Sequence, residues 1–333
     1  MLSPTRRSSA HVRPKVVETL TNIWLDTDTA GDDSTALMLA LKASNASVEG
    51  VSITCGNVKF EQEVENALYT IQASGRSGEV PVYPGARHPM VRDWVTAEEV
   101  HGKDGMGDSW FPKAEQRPER RHGVDAMVES VNSRPEEITV VAIGPLTNIA
   151  LAIRKYPALP KKVRRLYFMG GTNQFRGNVT PAAEFNIWVD PDAAKVVFHS
   201  GMAITMVGWE ICMRHALVMP AELEMIARLR TSEAKFFMAV NRVAREFTKR
   251  VEGVDCVPCP DAITVACALN DRVAEDVRKR YVDVDNQSDV SRGATYVDHL
   301  GILKRPPNID VVYGASEKLF KQMLFRMLRG KPF

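Results

Sequence analysis

Between residues 21 and 207, short β-rich apolar runs alternate with helix-length segments, and most runs stop at a turn containing glycine or aspartate. That alternation confines the chain to an α/β fold, an open and mostly parallel sheet with flanking helices. Parallel strands need a crossover, usually helical, to return the chain to the same edge. Residues 21–26 (TNIWLD), 48–55 (VEGVSITC), 80–83, 138–143 (ITVVAI), 165–169 and 203–207 read as strands. Residues 34–43, with good helix formers and a broad apolar face, read as a helix, as do 61–74, 147–154 and 191–199. No internal repeat or low-complexity linker interrupts the series, so residues 21–333 are expected to form a single domain.

Residues 1–20 are expected to be an N-terminal extension. Its start, MLSPTRRSSAHVRPK, is basic and Ser-rich and lacks the apolar stretch of a secretory signal. A frayed extension is preferred over a transit peptide. No apolar run approaches the roughly 20 residues that cross a bilayer. The net charge of +2 creates no strong pull toward nucleic acid or an anionic membrane. The short basic clusters at 117–121 and 161–165 are read as solvated faces. Five cysteines, an odd number in a mid-sized chain, suit a reduced cytoplasm better than a disulfide framework.

The chemistry sits where the strands end. Asp26 to Asp33, Gly56-Asn57, Gly144-Pro145 and Met169 to Gly171 all follow the carboxyl ends of expected strands. That edge of an open parallel sheet is where ligands bind. Asp26, Asp28, Asp32 and Asp33 place four carboxylates within eight residues. They repel one another unless protons or a cation neutralise them, and their hard oxygens suit Ca²⁺ or Mg²⁺ rather than Zn²⁺. Asp32 or Asp33 can instead cap the helix expected near Ser34, and Asp26 can satisfy loop donors. Those structural roles account for one or two of the four.

The Asp26–Asp33 spacing resembles the N-terminal DxDxxxDD signature of the inosine–uridine-preferring nucleoside hydrolase family. Further segments follow in that family's order: Gly56-Asn57 with Asn66-Ala67, His101-Gly102 with Asp104-Gly105, and residues 144–150 (GPLTNIA). Next come Met169-Gly170-Gly171, Gly177-Asn178, residues 183–186 (AEFN) and Asp190-Pro191. Arg292-Gly293, Thr295 and Val297-Asp298 resemble the family's closing strand pattern. The resemblance spans roughly residues 21–330. It implies the nucleoside hydrolase fold, with a Rossmann-like core, and calcium-dependent hydrolysis of ribonucleosides to ribose and free base in purine or pyrimidine salvage. A cytoplasmic homodimer or homotetramer is the implied form.

The resemblance also implies roles. Asp28, Asp33, Asp261 and the carbonyl of Ile143 would hold Ca²⁺, and Asp28 would act as general base toward the attacking water. Asp32 and Asn57 would face the ribose or buttress the metal, and Asp26 would orient its neighbours from behind. Asn178, Glu184, Asn186 and Met169 would meet the sugar. Such a site rejects a sugar that lacks a hydroxyl, because a buried partner is left unmatched. His101, in the Gly-rich stretch HGKDGMGDSW, would lie on a flexible flap near the base, with Trp94, Trp110 and Trp209 as stacking candidates.

One position departs from the family. Many members have a His directly before the late metal-binding Asp, where it protonates the leaving base; here that residue is Pro260. Cys256, Cys259, His101 and a stacked Trp are the substitutes the sequence offers. A non-catalytic nucleoside-binding homologue is therefore a second reading. A haloacid-dehalogenase-type phosphatase beginning at Asp26-Thr27-Asp28 is a third, although it leaves Asp32, Asp33 and residues 183–186 unexplained.

Overall fold

The computed structural model describes residues 20–174 and 176–333. The extension expected over residues 1–20 lies outside them except for Leu20, which is exposed. The strands are β1 (Thr21–Thr27), β2 (Ala46–Ile53), β3 (Val82–Pro84), β4 (Ile138–Ala142), β5 (Arg165–Met169) and β6 (Ile204–Val207). They are followed by β7 (Leu217–Val218), β8 (Val257–Pro258), β9 (Ala274–Arg280), β10 (Val282–Val284), β11 (Thr295–Val297) and β12 (Ile309–Ala315). Eight of them form one sheet in the order β3-β2-β1-β4-β5-β6-β12-β9. All neighbours in it run parallel except the β12–β9 pair.

From β1 the chain steps outward to β2 and β3, then returns to the other side of β1 to lay down β4, β5 and β6. The order reverses between β1 and β4, so the loops leaving those two strands diverge and open a crevice at their carboxyl ends. One loop is the aspartate segment and the other is Ile143-Gly144-Pro145.

Helices cover both faces, which is why β4 (ITVVA) is apolar and buried along its whole length. On one face α1 (Gly31–Lys42) and α2 (Phe60–Ala73) pack with the helices Pro260–Leu269 and Glu317–Leu328 around Leu37, Ile71, Ile263 and Phe320. On the other, the helices Gly123–Ser133, Thr147–Lys155 and Pro191–Phe198 close over Trp24, Met127, Phe168 and Phe198.

Two expectations change. Helix α1 begins at Gly31 rather than near Ser34, placing Asp32 and Asp33 in its first turn. The backbone N–H of Ala30 donates to Asp33 Oδ2 at 3.0 Å, satisfying a donor that a helix start leaves open. The stretch around Thr295 does not close the main sheet. As β11 it pairs only with β10, and the sheet ends in β12 and the antiparallel edge strand β9. Strand β9 (AEDVRKR) is charged and mostly exposed, a common way to blunt an edge. No helix among the described residues is long and apolar enough to cross a membrane.

Candidate active site

At the β1–β4 switch point a cavity of about 250 Å³ opens to the surface. Asp32, Asn57, His101, Ile143, Met169, Asn178, Glu184, Asn186, Trp209, Pro260 and Asp261 are among the residues that line it. Every residue expected to meet the sugar therefore reaches it, as does His101. Asp26, Asp28 and Asp33 are fully buried and absent from its lining.

The carboxylates gather tightly. Oxygens of Asp32, Asp33 and Asp261 lie within 4.8 Å of one another, the one metal-compatible group among the described residues. Asp33 is the most fixed: Thr27 Oγ1 donates to its Oδ1 at 2.6 Å and Asn57 Nδ2 to its Oδ2 at 3.1 Å. Asp28 is the least satisfied, since no donor reaches either of its oxygens, and Asp32 Oδ1 is also without a partner. Burial, reinforced by the Asp33 charge, holds the Asp28 carboxyl well above its usual range. Burial and the Asp32 charge do the same to Asp261. Burial alone dominates for Asp32 and Asp33, each raised to about 6.

Buried hard oxygens that lack donors and repel one another fit a divalent cation with oxygen ligands. The expected set was Asp28, Asp33, Asp261 and the Ile143 carbonyl. The geometry also draws Asp32, expected to face the ribose or buttress the metal, into the carboxylate group. The Ile143 carbonyl accepts Asn186 Nδ2 at 3.0 Å and keeps a second lone pair.

Two glycines hold the Asp28 carboxylate in place. A Cβ on Gly56 would lie 1.9 Å from Asp28 Oδ2, and one on Gly144 would lie 2.6 Å from Oδ1. With walls on both sides the carboxylate has no room to yield. Gly56→Ala is expected to displace it, reducing divalent-cation affinity by about tenfold or more and stability by about 1–3 kcal/mol. Cation titration and thermal unfolding of the variant would show this, and unchanged affinity would contradict it.

Asp26 acts from behind. Its Oδ1 accepts Ser52 Oγ and, at 2.8 Å, Asn148 Nδ2, while burial lifts its carboxyl to about 7. Glu184 caps the short helix Phe185–Val189, accepting the N–H groups of Asn186 (2.9 Å), Ile187 (3.3 Å) and Gly171 (2.8 Å). Burial still raises its carboxyl to about 7. Asn178 Oδ1 accepts the N–H of Phe185 at 2.9 Å, tying the same turn together.

The stretch expected as a flexible flap is fastened at its centre. Asp104 accepts the N–H groups of Met106, Asp108 and Trp110 at 2.7–2.8 Å, and Asn66 Nδ2 bridges the carbonyls of Thr29 and Asp104 at 2.9 Å each. His101 Nδ1 lies 3.5 Å from Asp32 Oδ1, and burial lowers the imidazole to about 4, so it is neutral at pH 7. Of the three tryptophans only Trp209 reaches the cavity. Trp94 donates to the Gly56 carbonyl at 3.0 Å, and Trp110 is 64% exposed.

Cys256 and Cys259, offered by the sequence as proton donors, are fully buried and off the cavity wall, and burial raises both thiols. They are free and join no metal-compatible group among the described residues. Two further features carry no motif in the residues. The cavity wall formed by Ala244, Phe247, Thr248 and Glu252 comes from the helical stretch 242–252, which carries no motif. Glu63 lies fully buried on α2. An acid on the buried face of an amphipathic helix was the available signal.

Comparison with known proteins gives a consistent set. The family model described as inosine-uridine preferring nucleoside hydrolase matches residues 23–322. The chain is 33% identical over 307 residues to the pyrimidine-specific ribonucleoside hydrolase RihA of Enterobacter sp. (strain 638), spanning 92% of this chain and 97% of that protein. Among solved structures, a plant nucleoside hydrolase superposes with a TM-score of 0.87 at 28% identity, covering 93% of this chain and 99% of the other. A purine-preferring ribonucleoside hydrolase from Gardnerella vaginalis gives 0.86 at 28% identity, covering 93% and 98%.

Proposed function

The chain belongs to the inosine–uridine-preferring nucleoside hydrolase family and is a nucleoside N-ribohydrolase, and on that premise we propose that it releases ribose and free base from ribonucleosides in a calcium-dependent reaction. The observation that carries the reading is the set of buried carboxylate oxygens without hydrogen-bond partners on Asp28 and Asp32, beside Asp33 and Asp261, where Asp32 and Asp261 line a cavity of about 250 Å³.

Asp28, Asp33, Asp261 and the Ile143 carbonyl would hold the cation, with Asp32 beside them. The cation, when bound, neutralises these carboxylates, anchors the ribose diol and lowers the pKa of water. Asp28 takes the proton of the attacking water as general base. Asp32, Asn57, Glu184, Asn186 and Asn178 bind the sugar hydroxyls, and Met169 packs against the ring. Charge developing on an oxocarbenium-like sugar is stabilised by the surrounding carboxylates. Asp26 keeps the β1 loop in register through Ser52 and Asn148.

The base half differs. Pro260 lines the cavity without a proton to give. Neutral His101 can donate one N–H to the departing base, and Trp209 offers a ring to stack on it. Pro260→His is expected to raise kcat by about tenfold or more through general-acid assistance. A pH–rate profile should then gain a descending limb near the histidine pKa, and a flat response would remove Pro260 from the account.

The direct test is a screen for free sugar after chelation and after calcium addition, using purine and pyrimidine ribonucleosides and a 2′-deoxyribonucleoside. Ribosides should be cleaved, the deoxyriboside about 10²-fold or more slowly, and chelation should stop turnover. Tight nucleoside binding without sugar release would favour the non-catalytic reading that Pro260 raises. The phosphatase reading finds no support in a family match spanning residues 23–322.

A further inference from the structure

Glu63 has no part in the chemistry above, yet it is an acid with no exposed surface, placed one turn into α2. Its side chain reaches back past the helix start. Oε1 accepts the N–H of Gly56 at 3.0 Å and the N–H of Val58 at 3.2 Å, and Oε2 has no partner. Strand β2 ends at Ile53, so neither N–H has a ladder to join, and Glu63 satisfies both with one oxygen.

The residue between those two donors is Asn57. Its Nδ2 donates to Asp33 Oδ2 at 3.1 Å and to the Asp28 carbonyl at 3.3 Å, and its own carbonyl accepts Ala97 N–H at 2.7 Å. Asn57 and Ala97 both line the cavity. Three residues of irregular main chain therefore carry a cavity residue, the glycine pressed against Asp28, and a link to Ala97, which also lines the cavity. One oxygen of Glu63 grips this segment on both sides of its centre.

We propose that Glu63 is a positioning residue for the hydrolysis, acting through the 56–58 main chain to hold Asn57 against Asp33 and in line with the sugar. The proposal rests on the hydrolase reading and on Asn57 facing the sugar. Removing the oxygen leaves two buried N–H groups without a partner, and the segment shifts to find others. A shift of about 1 Å in a substrate-positioning group is enough to lower kcat/KM by up to about 10²-fold.

The test is a double-mutant cycle on the calcium-loaded, full-length protein, with kcat and KM measured for the best ribonucleoside. Glu63→Leu removes the acceptor at similar size, and is expected to raise KM by about tenfold or more while lowering kcat less. Glu63→Gln keeps a carbonyl oxygen facing both N–H groups, and is expected to stay within about threefold of the unmodified protein. In an Asn57→Ala background, Glu63→Leu is expected to cause no further loss, because the residue it places is gone.

Full additivity of the two losses would overturn the proposal, as would a Glu63→Gln variant as impaired as Glu63→Leu. If Glu63→Leu does not fold, Glu63→Asp enters the same cycle. It is one methylene too short to reach both donors, and the same non-additivity is expected. An unmodified protein that cleaves no ribonucleoside overturns the hydrolase reading itself. An active protein indifferent to Glu63→Leu overturns this proposal alone.

Discussion

Asp28→Asn is expected to lower kcat by about 10³-fold or more while leaving the metal-free protein at least as stable as the original. The two halves of that result have one cause. Asp28 has no exposed surface and no donor at either oxygen, and it is pressed between Gly56 and Gly144. Without a cation its charged form is disfavoured by burial and by the neighbouring carboxylates, so a neutral amide of the same shape removes that penalty. With a cation it is both the ligand and the base, and an amide can be neither anionic ligand nor proton acceptor. Asp28→Ala should abolish sugar release as completely, with a small cavity left behind. Sugar-release assays and thermal unfolding on one preparation would test both halves. Retention of more than about a tenth of the activity would remove Asp28 from its role.

The metal-free protein is expected to lose stability as pH rises from 5 to 8, and calcium is expected to reverse the trend. Asp26 and Glu184 are raised to about 7 and Asp32 and Asp33 to about 6, from ordinary values of 3.8 for aspartate and 4.5 for glutamate. Asp28, Asp261 and Glu63 are displaced in the same direction, with burial the first cause throughout. Between about pH 4 and 7 the unfolded chain has released protons that the folded chain still binds, so stability falls as pH rises. His101, lowered to about 4 from 6.5, works oppositely, gaining stability as pH rises from 4 toward 6.5. Burial lowers His215 as well, but two histidines do not offset seven carboxyl groups. A cation displaces the shared protons, so its stabilising increment should grow with pH. The measurement is Tm against pH with chelator and with calcium. A metal-free Tm that rises across this window would mean the carboxyl groups are not buried as described.

Much of the fold and half of the site were legible in the residues. Strands 138–143 and 165–169 were read nearly to the residue, because strands buried on both faces are continuous apolar runs that glycine stops abruptly. The start of α1 was misplaced because Asp32 and Asp33 look like loop residues until Asp33 is seen turning back to Ala30. Strand β9 left no trace because an exposed edge strand need not be apolar. The cavity wall at 244–252 was equally silent. Its residues line the site through the packing of a helical stretch that carries no motif of its own.

The sequence by itself determined that four aspartates follow a buried strand, that several loops meet at one sheet edge, and that Pro260 stands where a proton donor is expected. Those facts are local: they depend on residue type and on the periodicity of a few neighbours. The tertiary structure alone decided which oxygens lack partners, that Asp32 joins Asp33 and Asp261 in one group, and that the two cysteines are sealed away from the cavity. It alone brought Glu63 beneath Asn57. Such relations depend on contacts between segments far apart in sequence, and on water being excluded between them, and neither is written in the pattern of any single segment.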